Sequence, residues 1–256
     1  MPDMKRLGLL PAAVLLLMAR SADGHVAPSI DDNNRYLKLT PLTDRVRVAY
    51  TVFMGQVPGA AARRQIDSNH DGQIADGEGQ AFGARLGDEV RGNLELTVDG
   101  VVVPVTWTTV SVGMGSADVT AGAFSVDLIA WVCLPKPGAA HELRIKDRFV
   151  IDRPGETEIK IEDSLGIVID KAALGAVQNA EHDFRFAGAG GPMASDGLQL
   201  NFTTGPDAPA AADGTCKAFK SAGIPPFVFV FAGGLLATVL GTIMVIVQRR
   251  GAKRTA

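Results

Sequence analysis

Between Leu94 and Trp107 the chain reads LELTVDGVVVPVTW. Apolar and polar side chains alternate through the first five residues, as in a strand with one buried face. Asp99-Gly100 then forms a two-residue turn signal of the kind that matches strand twist. The stretch predicts a β-hairpin with VVVPVTW as its second arm. Upstream, RYLKLT from Arg35 and RVRVAYTV from Arg45 to Val52 repeat the alternation, with Val46, Val48, Tyr50 and Val52 on one side. Downstream follow AFSVDLIAWVCL, HELRIKDRF, ETEIKIE, GIVID and GLQLNF, broken by turn formers at Pro137-Gly138, Pro154-Gly155 and Gly188 to Pro192. About nine short strands with no helical period after Gly92 predict a mainly β domain, built as one or two immunoglobulin-like sandwiches.

One stretch departs from this pattern. Residues 58–92 carry helix formers on both sides of a polar loop, and Phe82, Leu86 and Val90 recur on one helical face. Gly79, Gly83 and Gly87 share that spacing, which would let the helix lie close against another backbone. A helical insert after the second strand, docked on the β layer, is expected.

The polar loop runs Asp67-Ser68-Asn69-His70-Asp71-Gly72-Gln73-Ile74-Ala75-Asp76-Gly77-Glu78. It resembles the EF-hand family over the whole loop, and the resemblance implies a bound Ca2+ ion. The implied ligands are side-chain oxygens of Asp67, Asn69 and Asp71, the carbonyl of Gln73 and both carboxylate oxygens of Glu78. Gly72 falls where the backbone must turn sharply, Ile74 is an apolar anchor, and a water replaces a ligand at Ala75. EF-hands usually work in pairs that bridge at the position of Ile74, and the sequence contains no second loop. A lone hand of this kind resembles weak extracellular modules, with a Kd on the order of 0.1 to 1 mM, and suits a permanently filled structural site.

The ends of the chain point to export. Lys5-Arg6 followed by the apolar run Leu7 to Met18, about 12 residues, reads as a signal peptide over 1–24, with cleavage before His25 or, alternatively, after Ser21. Ile224 to Val247 is about 24 uncharged residues, roughly 36 Å as a helix, enough to span a bilayer once. The basic tail over 248–256 belongs in the cytoplasm by the positive-inside rule. This segment also looks like bacterial C-terminal sorting signals that are exchanged for an anchor. The expected order is therefore a β-rich extracytoplasmic domain over 25–202, a flexible Ala/Pro/Gly/Asp linker over 203–223, a transmembrane helix over 224–247 and a cytoplasmic tail. Cys133 and Cys216 are the two cysteines; a disulfide, two free thiols and intermolecular pairing all fit the sequence.

Composition excludes other classes. With 25 basic and 28 acidic residues the net charge is −3. Setting aside +1 before His25 and +4 after Val247 leaves −8 for the body, which disfavours binding nucleic acid. No nucleophile elbow, zincin helix or phosphate loop occurs. His141-Glu142 begins a zincin-like pair, but Ile145 stands where the second His is required. Enzymatic activity is not expected. The alternative reading is a transition-metal (Cu, Ni or Co) handling protein: a free His25 amine and ring would chelate the metal, with His141 or His182 as the next ligand. Residues from His25 through Tyr50 to Pro58 loosely resemble secreted bacterial proteins that accompany nickel/cobalt permeases, which implies a membrane-protein partner.

Overall fold

The computed structural model describes residues 31–136, 138–188, 190–205 and Cys216. They form a mainly β molecule with two six-stranded sheets. The first contains, in spatial order, β11 (Asp183–Ala187), β8 (Pro154–Ile161), β1 (Asn33–Pro41), β2 (Arg45–Met54), β6 (Phe124–Cys133) and β5 (Trp107–Gly113). Its neighbours are antiparallel except for the parallel pair β1 and β8. The second contains β10 (Val177–Gln178), β9 (Ile167–Leu174), β12 (Leu198–Thr204), β7 (Ala140–Asp147), β3 (Leu94–Val98) and β4 (Val101–Val102), all antiparallel.

Both sheets bury one face in a shared core. Val46, Val48, Tyr50 and Val52 of β2 point inward, as their alternation predicts, and join Val126 and Leu128 of β6. Leu96, Ile145, Leu200 and Phe202 supply the opposite wall. Burying each such side chain contributes about 1.5–3 kcal/mol, and the period-2 pattern puts these contributions on one face.

The hairpin at Asp99-Gly100 forms as read, with φ of 50° and 77° at its two turn residues. Its second arm is shorter than expected. β4 ends at Val102; Val103 N still donates to Leu96 O at 2.9 Å, and the chain leaves the ladder at Pro104. Val103 and Val105 are buried while the chain crosses to the other sheet, and Trp107 begins β5 there. VVVPVTW is thus two strands of different sheets. The strands β10 and β11 and a short helix, α3 (Gly191–Ser195), are further elements that the pattern did not reveal.

The helices of the insert are α1 (Gln56–Ile66) and α2 (Asp76–Asn93), the latter running directly into β3. Val110 and Val112 of β5 pair with Leu128 and Val126, so all four share the core face of the first sheet. The insert covers that face beside the second sheet: a Cβ added to Gly83 would sit 2.5 Å from Val112 Cγ2, and one on Gly87 would sit 3.2 Å from Leu128 Cδ2. Trp107 Nε1 donates to the Gly87 carbonyl at 2.7 Å, and Phe82 meets Phe124 edge-on at 5.7 Å. The helices are part of the second layer of the fold. Gly79, Gly83 and Gly87 face side chains, not the backbone they were expected to approach.

Close backbone approach occurs instead at Gly59 of α1, where a Cβ would lie 2.7 Å from Gly122 O and 3.2 Å from Ala123 Cα. Backbone cannot rotate away as a side chain can. Gly59→Ala is expected to destabilise by about 1–2 kcal/mol, the overpacking loss outweighing the gain in helix propensity. Gly92→Ala meets nothing within 4 Å and should instead stabilise, by up to about 1 kcal/mol. Thermal unfolding of the two variants checks this contrast in sign.

Cys133, at the end of β6, and Cys216 form a disulfide with Cα atoms 5.4 Å apart. Of the three states the sequence leaves open, the intramolecular disulfide is present, and it ties the linker back to the first sheet. The linker starts later than read, since Thr203 and Thr204 complete β12. Among the described residues no helix is long and apolar enough to cross a membrane. The expected signal peptide, transmembrane helix and basic tail, and His25, lie outside those residues.

Candidate metal-binding loop

Asp67 to Glu78 connect α1 to α2 as a compact turn on the insert. Gly72 has φ +83°, a conformation that side chains disfavour, and it lies where the loop must reverse. The carboxylate of Asp67 is buried and accepts from the N–H groups of Asp71 at 3.2 Å and Gly72 at 3.0 Å. Asn69 Oδ1 accepts from Asp71 N at 3.0 Å, and Asn69 Nδ2 donates to Asp71 Oδ2 at 3.0 Å. Asp71 Oδ1 accepts from Gln73 N at 2.8 Å. The first three predicted ligands therefore lie together at the front of the loop.

Glu78 closes the loop from its far end. Its Oε1 accepts from Ser68 N at 2.8 Å and Ser68 Oγ at 2.6 Å, and its Oε2 accepts from Ala75 N at 3.0 Å. These bonds, the Ser68 hydroxyl foremost, hold the Glu78 carboxyl below its ordinary range and keep it ionised at neutral pH. Among the described residues no three His, Cys, Asp or Glu side chains converge as a metal cage. Two of the five predicted donors are an amide side chain and a backbone carbonyl. The donor set is oxygen throughout, the chemistry that calcium takes.

A second segment touches the loop. Ile74 is buried, and its N–H donates to Ala117 O at 2.7 Å, while Val119 N donates to Gly72 O at 3.1 Å. These bonds flank an antiparallel bridge between Gln73 and Asp118. In such a pair the central residues make neither ribbon bond, so the N–H and C=O of Gln73 both point away from Asp118. Its N–H meets Asp71 Oδ1, and its carbonyl shares that side, toward the acidic front of the loop.

Arg63, in the last turn of α1 and inaccessible to solvent, holds this segment from behind. Its guanidinium donates to the carbonyls of Gly122 at 2.9 Å, Ser116 at 2.7 Å, Asp118 at 3.2 Å and Ala123 at 3.4 Å, and to that of Met114. It also lies 5.4 Å from the centre of the Phe124 ring. Burial pulls Arg63 below its ordinary value, and Asp118 pulls it upward.

Neither Arg63 nor residues 117–119 stand out in the sequence. The bonds of Arg63 join positions 51 to 60 residues apart, and a single Arg at the end of a helix looks like an ordinary surface cation. Of the histidines of the alternative reading, His141 and His182 are described, and neither belongs to a metal-binding group among the described residues. His141 is buried, with Nδ1 2.9 Å from Asp99 Oδ2 and Nε2 2.9 Å from Lys136 O, which leaves no ring nitrogen for a metal. His182 lies by Asp163 at 3.6 Å. No protein-family model matches the chain, and no curated protein matches it.

Proposed function

We propose that the chain is an exported, membrane-anchored, immunoglobulin-like β-sandwich protein that holds one calcium ion in the EF-hand-like loop Asp67–Glu78, in a structural or binding role. The observation that carries this reading is the loop itself. Asp67, Asn69 and Asp71 share a hydrogen-bonded front, Gly72 makes the sharp turn, and the Gln73 carbonyl faces the same side. Asp67, Asn69, Asp71, the Gln73 carbonyl and Glu78 would hold the ion. The ion competes with Ser68 and Ala75 for the Glu78 carboxylate, in keeping with a weak extracellular site. The disulfide supports an oxidising compartment, which agrees with export.

The test is thermal unfolding of the full chain in detergent. With a Kd of about 0.1–1 mM, 5 mM calcium stabilises by about 1 to 2.3 kcal/mol and raises Tm by roughly 2 to 9 °C. Glu78→Gln removes one charge and a carboxylate oxygen and should abolish most of the rise. An unchanged wild-type Tm, or an equal rise in Glu78→Gln, sinks the reading.

A further inference from the structure

EF-hand loops usually brace one another across a short β-ribbon, and this chain has one such loop. We infer that the β5–β6 connection is the missing brace: residues Ala117–Val119 are positioning residues that set the calcium affinity of the loop Asp67–Glu78. The inference rests on the calcium reading. Its physical basis is the ribbon of Gly72–Ile74 with Ala117–Val119, which is outside the twelve-residue pattern and supplied by a strand connection of the β layer.

The brace is rigid for three reasons. Arg63 gathers its carbonyls from Met114 to Ala123 onto one guanidinium. The Asp118 carboxylate accepts from Thr120 N at 2.7 Å and Thr120 Oγ1 at 2.8 Å, which closes the turn locally. Ala121 N donates to Asp118 O at 3.0 Å across the same turn. Because the brace is fixed, the bond from Val119 N to Gly72 O holds the backbone beside Gln73. The Gln73 carbonyl then stays on the ligand side whether or not the ion is bound. A loop without that bond must spend part of its binding energy on orienting Gln73, so its affinity falls.

Val119 permits a clean test. It is the second residue of the turn from Asp118 to Ala121, the position at which proline is favoured, so Val119→Pro keeps the turn while deleting the N–H that bonds Gly72. Val119→Ala keeps both turn and N–H. Calcium chloride is titrated calorimetrically into the full chain in detergent, and metal-free Tm is recorded in parallel. The expected result is a Kd weakened roughly three- to ten-fold in Val119→Pro, with wild-type affinity in Val119→Ala, as follows from the net worth of one hydrogen bond. Wild type failing to bind calcium overturns the calcium reading and this inference with it. Wild type binding while Val119→Pro matches its Kd overturns the brace alone, as does an equal loss in Val119→Ala. A Val119→Pro protein whose metal-free Tm collapses is replaced by Arg63→Lys, which keeps the charge but not the fork of bonds to residues 114–123. Weakened binding there supports the brace, and unchanged binding overturns it.

Discussion

Replacing Arg35 by Met is expected to destabilise the protein by about 3–5 kcal/mol at neutral pH, among the largest effects of any single substitution. Arg35 of β1 and Asp147 of β7 are almost fully buried and pair across the two sheets at 3.1 Å. Arg35 also donates to Thr157 Oγ1 at 3.1 Å and Phe149 O at 3.0 Å. Asp147 accepts from Tyr50 OH at 2.7 Å and Phe149 N at 2.8 Å. Without the guanidinium, a buried carboxylate keeps two neutral donors and no cation. The double change Arg35→Met with Asp147→Asn removes that stranded charge and should recover roughly 2 kcal/mol or more. Denaturant unfolding of the two single variants and the double variant measures the coupling.

The same pair has a pH signature. Burial pushes Asp147 above the ordinary carboxylate range, against the pull of Arg35, Tyr50 and the Phe149 N–H. A carboxyl whose folded value exceeds its unfolded value of about 3.9 favours the fold in its protonated form. That contribution is full below the unfolded value and is lost as pH rises through the folded one. In Arg35→Met the guanidinium no longer opposes burial, so the window extends to higher pH. The deficit of the variant should therefore shrink between pH 8 and pH 5. A deficit independent of pH would show that the lost stability comes from packing.

Arg63→Met carries the second large effect, about 3–5 kcal/mol, and it falls on the insert. The Met stem fills part of the volume, but the carbonyls of Met114, Ser116, Asp118, Gly122 and Ala123 lose their common donor. Each buried acceptor left unpaired costs about 1–3 kcal/mol, and those near the surface regain water. The β5–β6 connection should then open, with faster amide exchange at Ile74 and Val119, while the β2 and β6 amides remain protected. Protection unchanged at Ile74 would mean that the ribbon stands without its clamp.

The alternation of Val46, Val48, Tyr50 and Val52 and the turn at Asp99-Gly100 were legible because strand period and turn geometry are properties of neighbouring residues. The same holds for Asp67 to Glu78, whose internal bonds span at most ten positions. VVVPVTW reads as one arm, and only distant partners decide that its two halves join different sheets. The strand β5 carries the same alternation, Val110 and Val112 inward and Thr109 and Ser111 outward, but only its pairing with β6 separates it from the arm that ends at Val102.

By itself, then, the sequence determined the β class, the hairpin, the helical insert with its acidic loop and the apolar segments at both ends. These are written in periodicity, turn chemistry and local spacing. The tertiary structure alone decided that the insert completes the second layer, that Cys133 meets Cys216, that Arg35 crosses the core to Asp147, and that Arg63 and residues 117–119 stand behind the loop. The reason is physical: each of these is a contact between positions far apart in the chain. It exists only after the two sheets have buried their common face and brought those positions to one place.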